Sequence, residues 1–510
     1  MSGDRINQAN KNVATPTKVF ETLNTKWSKI DTLKGGTEAM RAARTKFLPK
    51  EDAERETAYD SRIERSVLFG ALKDTITRTI NRPLSKQVIL KEEELLPEPL
   101  DMIKDDVDRD GTNLTDFAKE VFEDGVSYGI MHCLIDYPKT TGKITLARQR
   151  NEKLRPRFVR YSPRNVIGWK SDVDNFGKTH LTQLRLREYF EREVDDYDTI
   201  EDFRIRVFNY DLETGTVSWV LFVRSLEDAT TNSSTNWLEQ DGGIYDRWQW
   251  LGIPFITAYL KKEGYMVAIP PFDDLSDMNI AHWQSMSDQR NILKYSRFAV
   301  LFGKGLDSDK VQSGLVLGAN QSILTRNENA DLKYVEHNGT AIGAGENDLE
   351  RLEERMEILG MQPFVRRAGN QTATGKAIDE GKQQTEIQAW VRTLESFMYL
   401  CYKYSAIWEG KELPQDFTID VFSDFGLASK AIEECEVLTK AVLSGKISNE
   451  TYLKEIRKRG ILSEDVNIED ELDKLSTEAP DFNMSESIVP IKDEDDEEDD
   501  IKDIKEVKAK

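Results

Sequence analysis

Apolar residues recur at helical spacing through the first eighty residues. Val19, Phe20, Leu23, Trp27 and Ile30 share one face of a helix over Thr17–Asp31, and Thr37–Phe47 predicts a second that ends before Pro49. A third stripe, Ile63, Val67, Leu68, Leu72, Ile76 and Ile80, predicts one helix from Asp52 to Ile80, stopped by Asn81-Arg82-Pro83. Another helix carries Leu114, Phe117, Val121 and Phe122 inside and is capped by Thr112 or Asn113. It leads into Gly125–Pro138, a short apolar run, β-branched in part, that suits a buried strand.

The period then shortens. Within residues 157–260, RFVRYS, NVIGWKS, LTQLRLREYFE, FRIRVFNYD and TVSWVLFVR alternate or run short and apolar between Gly, Asp and Asn turns. Tyr210–Gly215 reads as a hairpin connection, Glu227–Gly243 as a long exposed loop, and WQWLGIPFITAYL as another strand. Helices followed by antiparallel sheet predict an α+β fold.

From Pro270 to Trp408 the pattern is helix, small β-rich insertion, helix, short basic loop, long helix. The first helix spreads Leu275, Met278, Trp283, Met286, Leu293 and Phe298 wider than one stripe, as a helix with neighbours on several sides does. The insertion, about Ala299 to Ile342, holds short strands and one helical turn near Ser308–Val311. The second helix, GENDLERLEERMEIL, is polar nearly all round and suits a channel or interface. Loop 361–373 is the only locally basic piece, and its Arg366 and Arg367 suit either a polyanion or the acidic helix before them. The long helix starts near Thr374, is open to a kink at Gly381, and sets Ile387, Trp390, Val391, Leu394, Phe397, Met398 and Cys401 in one register. After Pro414, DFTIDVFSDF is a strand free to return to the earlier sheet; helices at Ser429–Ser444 and Ser448–Arg459 follow, closed by Gly445 and Gly460. Residues 1–15 and the tail from about Thr477 are polar and predicted to be disordered.

Charge alters this picture most. The net charge is −22; residues 491–510 hold ten acids and five lysines, a net of −5, so the rest still carries −17. Sequence-independent DNA binding is driven by Lys and Arg releasing counterions, so a broad DNA-gripping surface is disfavoured, while DNA passing close by without sticking is not. No run of about 18 apolar residues predicts a membrane span, and the N-terminus lacks the apolar core of a secretory signal. Cys133, Cys401 and Cys435 are far apart and read as reduced thiols of a cytosolic chain.

Catalytic and metal motifs do not stand out. Asp106, Asp108, Asp110 and Gly111 imitate a calcium loop, but position 12 is Phe117 instead of Glu, so an acidic turn is the better reading. His132, His180, His282 and His337 are isolated, and His132 reads as a core histidine. The stretch from Gly369 to Lys376 has one residue too many between its glycines for a phosphate-binding loop and no Ser or Thr after the lysine. No cofactor is expected. Acid pairs are everywhere and none is singled out.

The central block resembles the portal proteins of tailed double-stranded DNA bacteriophages. PPFDDLSDMNIAHWQSMSDQRNIL carries the likeness as an apolar-Pro lead into Leu-x-x-x-Asn-x-x-His-aromatic, followed by the β insertion, the Glu-rich helix, and TATGKAID opening the long helix. WSKIDTLKGGTEAMRAARTKFLPK, RIERSVLFGALKDTITRTINRP and DRDGTNLTDFAKEVFEDGVSYGIMHCLIDYP agree in order, so the resemblance covers about residues 20–425. It implies a non-enzymatic head-tail connector, a dodecamer at one capsid vertex of the virion, made in host cytoplasm, with no membrane partner. By that likeness the architecture is a sheet-rich wing (16–270), a long-helix stem (271–298 and 345–360), a small β-rich clip (299–344), a tunnel loop (361–373), a long helix (374–409), a strand returning to the wing (411–426), a helical crown (427–476) and an acidic tail (477–510). Asp277, Gln284, Glu350 and Glu354 would line the channel. Arg366, Arg367, Asn370 and Gln371 would face double-stranded DNA, and Lys304, Lys310, Asn320 and Arg326 would meet partners at the clip. Those partners would be the terminase large subunit and then a head-completion or neck adaptor protein, with major capsid and scaffold proteins around the ring. Two other readings stay open: a different oligomeric virion adaptor or scaffold, and a carboxylate-dependent metal enzyme.

Overall fold

The computed structural model describes residues 12–138, 148, 151–152, 154–230, 236–245, 248, 251–297, 300–305, 327–335, 340–360, 373–423, 428–458, 462 and 466–477. The chain divides into two units, Met1–Phe425 and Gly426–Lys510. The fold is α+β.

In the first unit, α1 (Lys18–Lys34) starts where the Thr17 hydroxyl accepts from the Phe20 amide, and it buries Phe20, Leu23, Trp27, Ile30 and Leu33. Val19, expected on that stripe, is 47% exposed. Gly36, at φ +77, turns the chain into α2 (Gly36–Ala43). The single helix expected over Asp52–Ile80 is two, α3 (Glu56–Arg65) and α4 (Ala71–Asn81). The apolar stripe runs across the break, but the break is held by side chains distant in sequence. Ser66 donates to the Arg62 carbonyl and bonds Ser287, and Asn279 accepts from Leu72 N and donates to the Phe69 carbonyl.

After β1 (Ile89–Lys91) comes the acidic turn. Asp106 accepts from the amides of Arg109 and Gly111, Asp108 from those of Asp110 and Thr112, and Asp106 also pairs with Arg155. The carboxylates serve the turn itself, which is why the spacing imitates a calcium loop. Asn113 caps α5 (Leu114–Tyr128). Gly129, at φ +82, must be glycine, since a Cβ there would strike the Ile269 carbonyl. The strand begins after it rather than at Gly125: β2 (Ile130–Asp136) is buried along its whole length. It lies between β3 (Arg157–Arg160) and β9 (Phe255–Tyr259), both antiparallel to it.

A five-stranded antiparallel meander comes between: β4 (Val166–Val173), β5 (Thr179–Glu193), β6 (Thr199–Tyr210), β7 (Val217–Arg224) and β8 (Trp237–Ile244), in that order. The exposed loop expected over Glu227–Gly243 is instead α6 (Leu226–Thr230) and then β8, paired from Ser218↔Ile244 to Arg224↔Trp237. As an edge strand exposed along nearly its whole length, β8 has no apolar alternation to read. Leu184, Leu186, Phe208, Tyr210 and Val217 pack into the main core, and Ile167, Ile205 and Val207 into a second cluster with Phe20, Leu23 and Trp27 of α1.

A small hairpin, β10 (Lys262–Gly264) and β11 (Val267–Ala268), precedes α7 (Asp273–Ser296). Then come β12 (Val300–Lys304), β13 (Asp331–Val335), α8 (Thr340–Leu359) and α9 (Ala373–Glu409). Helix α8 starts five residues before the expected Gly345, and α9 is one helix of 37 residues through Gly381. The register expected for α9 holds: Ile387, Trp390, Val391, Leu394, Phe397, Met398 and Cys401 are all buried. The returning strand, β14 (Thr418–Asp420), pairs with β1 rather than with either larger sheet. The second unit holds α10 (Ala428–Leu443), α11 (Asn449–Lys458), capped by Ser448, and α12 (Ile468–Thr477). Among the described residues no helix is long and apolar enough to cross a membrane. Cys133 and Cys401 are buried free thiols and Cys435 is half-buried.

Candidate functional site: the antiparallel helix pair

Helices α7 and α8 run antiparallel, joined through β12 and β13. Three cross-links fix the register: His282 Nε2 to Glu353 at 3.4 Å, Ser285 Oγ donating to Asp348 at 2.8 Å, and Gln289 Nε2 donating to the Ile342 carbonyl at 2.9 Å. Gly345 leaves room for the third link, because a Cβ there would collide with the side-chain amide of Gln289. Between the helices, β12 and β13 pair from Val300↔Val335 to Lys304↔Asp331.

Helix α7 buries five of its polar residues, Ser276, Asn279, His282, Ser287 and Gln289, and ties others to the N-terminal helices. Gln284 donates to the Phe47 carbonyl at 2.9 Å and Arg62 meets Asp288 at 3.3 Å. Lys29 bridges Asp273 at 2.9 Å and Asp277 at 2.5 Å. Burial works against the Lys29 ammonium, but the two carboxylates prevail and raise its pKa. Trp283 is fully buried, and so is His282, whose ring lies 5.1 Å from that of Phe69. Burial holds the His282 imidazole below its usual range against the pull of Glu353 and Asp348. Its Nδ1 has no hydrogen-bond partner among the described residues. The other core histidine behaves as expected: His132 bonds Thr257 at 3.0 Å, stacks on Phe255, and is pushed down to about 3 by burial.

Helix α8 does the reverse. Leu349, Leu352 and Met356 are buried at helical spacing, while Glu346, Asp348, Glu350 and Glu354 are exposed with Arg351 and Arg355. Over Thr340–Leu359 six acids (346, 348, 350, 353, 354, 357) outnumber two arginines, a net of −4.

The four residues expected to line a channel therefore do not share one surface. Glu350 and Glu354 lie on the open acidic face of α8. Asp277 pairs with α1, and Gln284 is bound to the chain just after α2, because the N-terminal helices cover that side of α7. Lys304 is exposed at the end of β12. Lys310, Asn320, Arg326, Arg366, Arg367, Asn370 and Gln371 lie outside the described residues. Of the polar seat of α7, Asn279 and His282 stood out in the sequence only as members of the portal-like motif, and Ser287 and Gln289 went unread. A second signal was the wide scatter of apolar positions around that helix.

A family model described as a domain of unknown function (DUF4055) matches residues 271–409, a range that holds this helix pair, the β12–β13 hairpin between its helices and all of α9. No curated protein matches. Among solved structures, the chain is similar to one described as the neck of a native GTA particle computed with C12 symmetry (TM-score 0.38, 8% identity, covering 76% of this chain and 89% of that one). It is also similar to one from the virion of a native gene transfer agent particle (TM-score 0.39, 7% identity, 82% and 98%). A third is the neck of an empty GTA particle computed with C6 symmetry (TM-score 0.38, 8% identity, 81% and 97%). TM-scores this low decide neither fold nor function.

Proposed function

We propose that the chain is the ring-forming portal subunit of a phage-like virion, a structural conduit for double-stranded DNA rather than a catalyst. The observation that carries the reading is the open acidic face of α8, set on the helix–hairpin–helix block where the sequence resembles portal proteins. Repeated around a ring, that face makes a negative wall. At physiological salt the repulsion fades within roughly 8 Å, so such a wall acts on DNA passing close by and leaves it sliding. The loop carrying Arg366 and Arg367 would supply weak phosphate contacts, which carry no sequence information. On this reading the segment between α7 and α8, with Lys304, meets the packaging motor and later a neck adaptor.

Native mass and end-on electron microscopy of the purified protein test the proposal. A closed ring of about a dozen subunits, with a hole of roughly 20 Å or more for duplex DNA, is expected. A ring too narrow for a duplex, or a compact assembly without an axial hole, overturns it.

A further inference from the structure

A second surface, outside the helix pair, has the features of a subunit contact. Beside α1 and β5 lies a cavity of about 400 Å³, lined by Phe20, Tyr128, Arg164, Asn165, Arg187 and Tyr189 among others. That volume falls in the range of small binding pockets. Asp31 holds Arg164 and accepts from the Tyr128 hydroxyl at 2.5 Å. Arg187 has no carboxylate partner among the described residues. Its guanidinium lies 5.2 Å from the Phe203 ring, and its Nε is buried without a hydrogen-bond partner. Two arginines against one aspartate leave an excess positive charge. Burial holds the Arg164 guanidinium below its ordinary range, with Arg187 repelling it and Tyr189 opposing that repulsion. Tyr189, 53% exposed, continues into a row of rings through Phe203 (6.1 Å) and Trp237 (5.6 Å). Tyr, Trp and Arg are the residues that dominate binding hot spots.

The complement is on the same sheet. Strands β5 and β6 pair as far as Glu193↔Thr199, whereas β4 follows β5 only to Leu186 and β7 pairs with β6 only from Ile205. Past Arg192 and Asp202, which still bond Arg224 of β7, the end of the ribbon projects from the sheet. Its tip is acidic, with Glu191, Glu193, Asp195, Asp196 and Asp198 all exposed, and the one nearby base, Arg192, is turned onto Asp202 at 2.8 Å. Asp195 fixes the turn by accepting from the amides of Tyr197 and Asp198, which leaves the Tyr197 side chain 100% exposed. The tip cannot fill its own pocket. From Tyr189 the paired strand carries it four residues farther away, roughly 13 Å at ~3.3 Å per residue.

We infer that copies of this chain join head to tail, with the acidic Tyr197 tip of one copy seated in the Arg164–Arg187 pocket of the next. A contact between two different patches repeats, and so generates a closed ring or a filament rather than a two-fold dimer. The inference stands on this pocket and this tip alone and goes beyond the conduit reading.

Cross-linking tests it. With Cys435→Ser in all chains and Cys133 and Cys401 buried, a Tyr197→Cys copy is mixed with an Asn165→Cys copy and oxidised. Docking should raise the yield of linked dimer about tenfold over a control pair, Tyr197→Cys with Thr214→Cys at the other end of the sheet. Equal yields overturn the inference. A charge swap gives the second measure: Arg187→Glu should weaken self-association about tenfold or more, and adding Asp195→Arg with Asp196→Arg should restore it. Self-association unchanged by Arg187→Glu also overturns it, and a wild-type ring that persists then leaves the conduit reading standing. Selective cross-linking without any ring would sink the conduit reading and keep this one.

Discussion

Helices α7 and α8 lie against each other and use their polar residues in opposite ways. On α7 the amides and hydroxyls of Asn279, Gln284, Ser287 and Gln289 bond to other parts of the fold. On α8 a narrow apolar stripe, Leu349, Leu352 and Met356, is buried, while Glu346, Glu350 and Glu354 are exposed. Buried polar groups must be paired, so each of those bonds admits one seat for α7 and few others. An exposed face is under no such demand. The contrast separates residues that hold the block in place from residues free to be chosen for what passes outside.

The largest test of that division is Trp283→Ala. Removing a fully buried indole should cost about 4 kcal/mol, read as a shift in the urea midpoint; a loss near zero would mean that α7 is not seated as described. Asn279→Ala comes next. It strands the Leu72 amide and the Phe69 carbonyl in a buried site, and about 3 kcal/mol should be lost. Acid separates the two core histidines. Because burial holds His132 down to about 3, the unfolded chain binds its proton first as pH falls below about 6.5. Stability from this group is complete above that pH and is lost toward the folded value, about 2 kcal/mol by pH 5. His282 is depressed in the same direction, but Glu353 and Asp348 oppose it. Across matched pH titrations of stability, His132→Gln should therefore flatten the acid slope more than His282→Gln does. The smallest effect belongs to the outer face: Glu350→Gln with Glu354→Gln should change stability by no more than about 0.5 kcal/mol. In filter-binding assays at low salt the same pair should raise retention of duplex DNA; unchanged retention would remove those acids from the repelling wall.

The sequence was most legible where burial follows a period. The stripe on α1, the all-buried β2 and the second half of α9 announce themselves because each presents one continuous apolar face. It misled where a distant partner decides. The stripe from Ile63 to Ile80 is compatible with one helix, and the bonds that hold it as two come from distant residues, among them Asn279 and Ser287 some two hundred residues later. Strand β8 was hidden for the opposite reason, since an exposed edge leaves no apolar pattern behind. Of the residues that the portal resemblance puts at the channel, Glu350 and Glu354 were legible as exposed, since their helix is polar nearly all round. The inward turn of Gln284 was not legible, because it depends on the Phe47 carbonyl, which no local pattern reveals. The Arg187 pocket was equally hidden, being assembled from α1, the end of α5, the segment before β4 and β5.

The pairing of β14 with β1 has a consequence for synthesis. Ile89–Lys91 leaves the ribosome with its partner strand, Thr418–Asp420, still more than three hundred residues away. At roughly 5–20 residues per second that gap lasts on the order of 15 to 65 seconds. Within it α5 and β2 are made, and the surfaces that will receive α9 then wait uncovered until that helix follows. A nascent chain of this protein therefore passes a long interval with an apolar seat open, and that interval is when a chaperone has work to do.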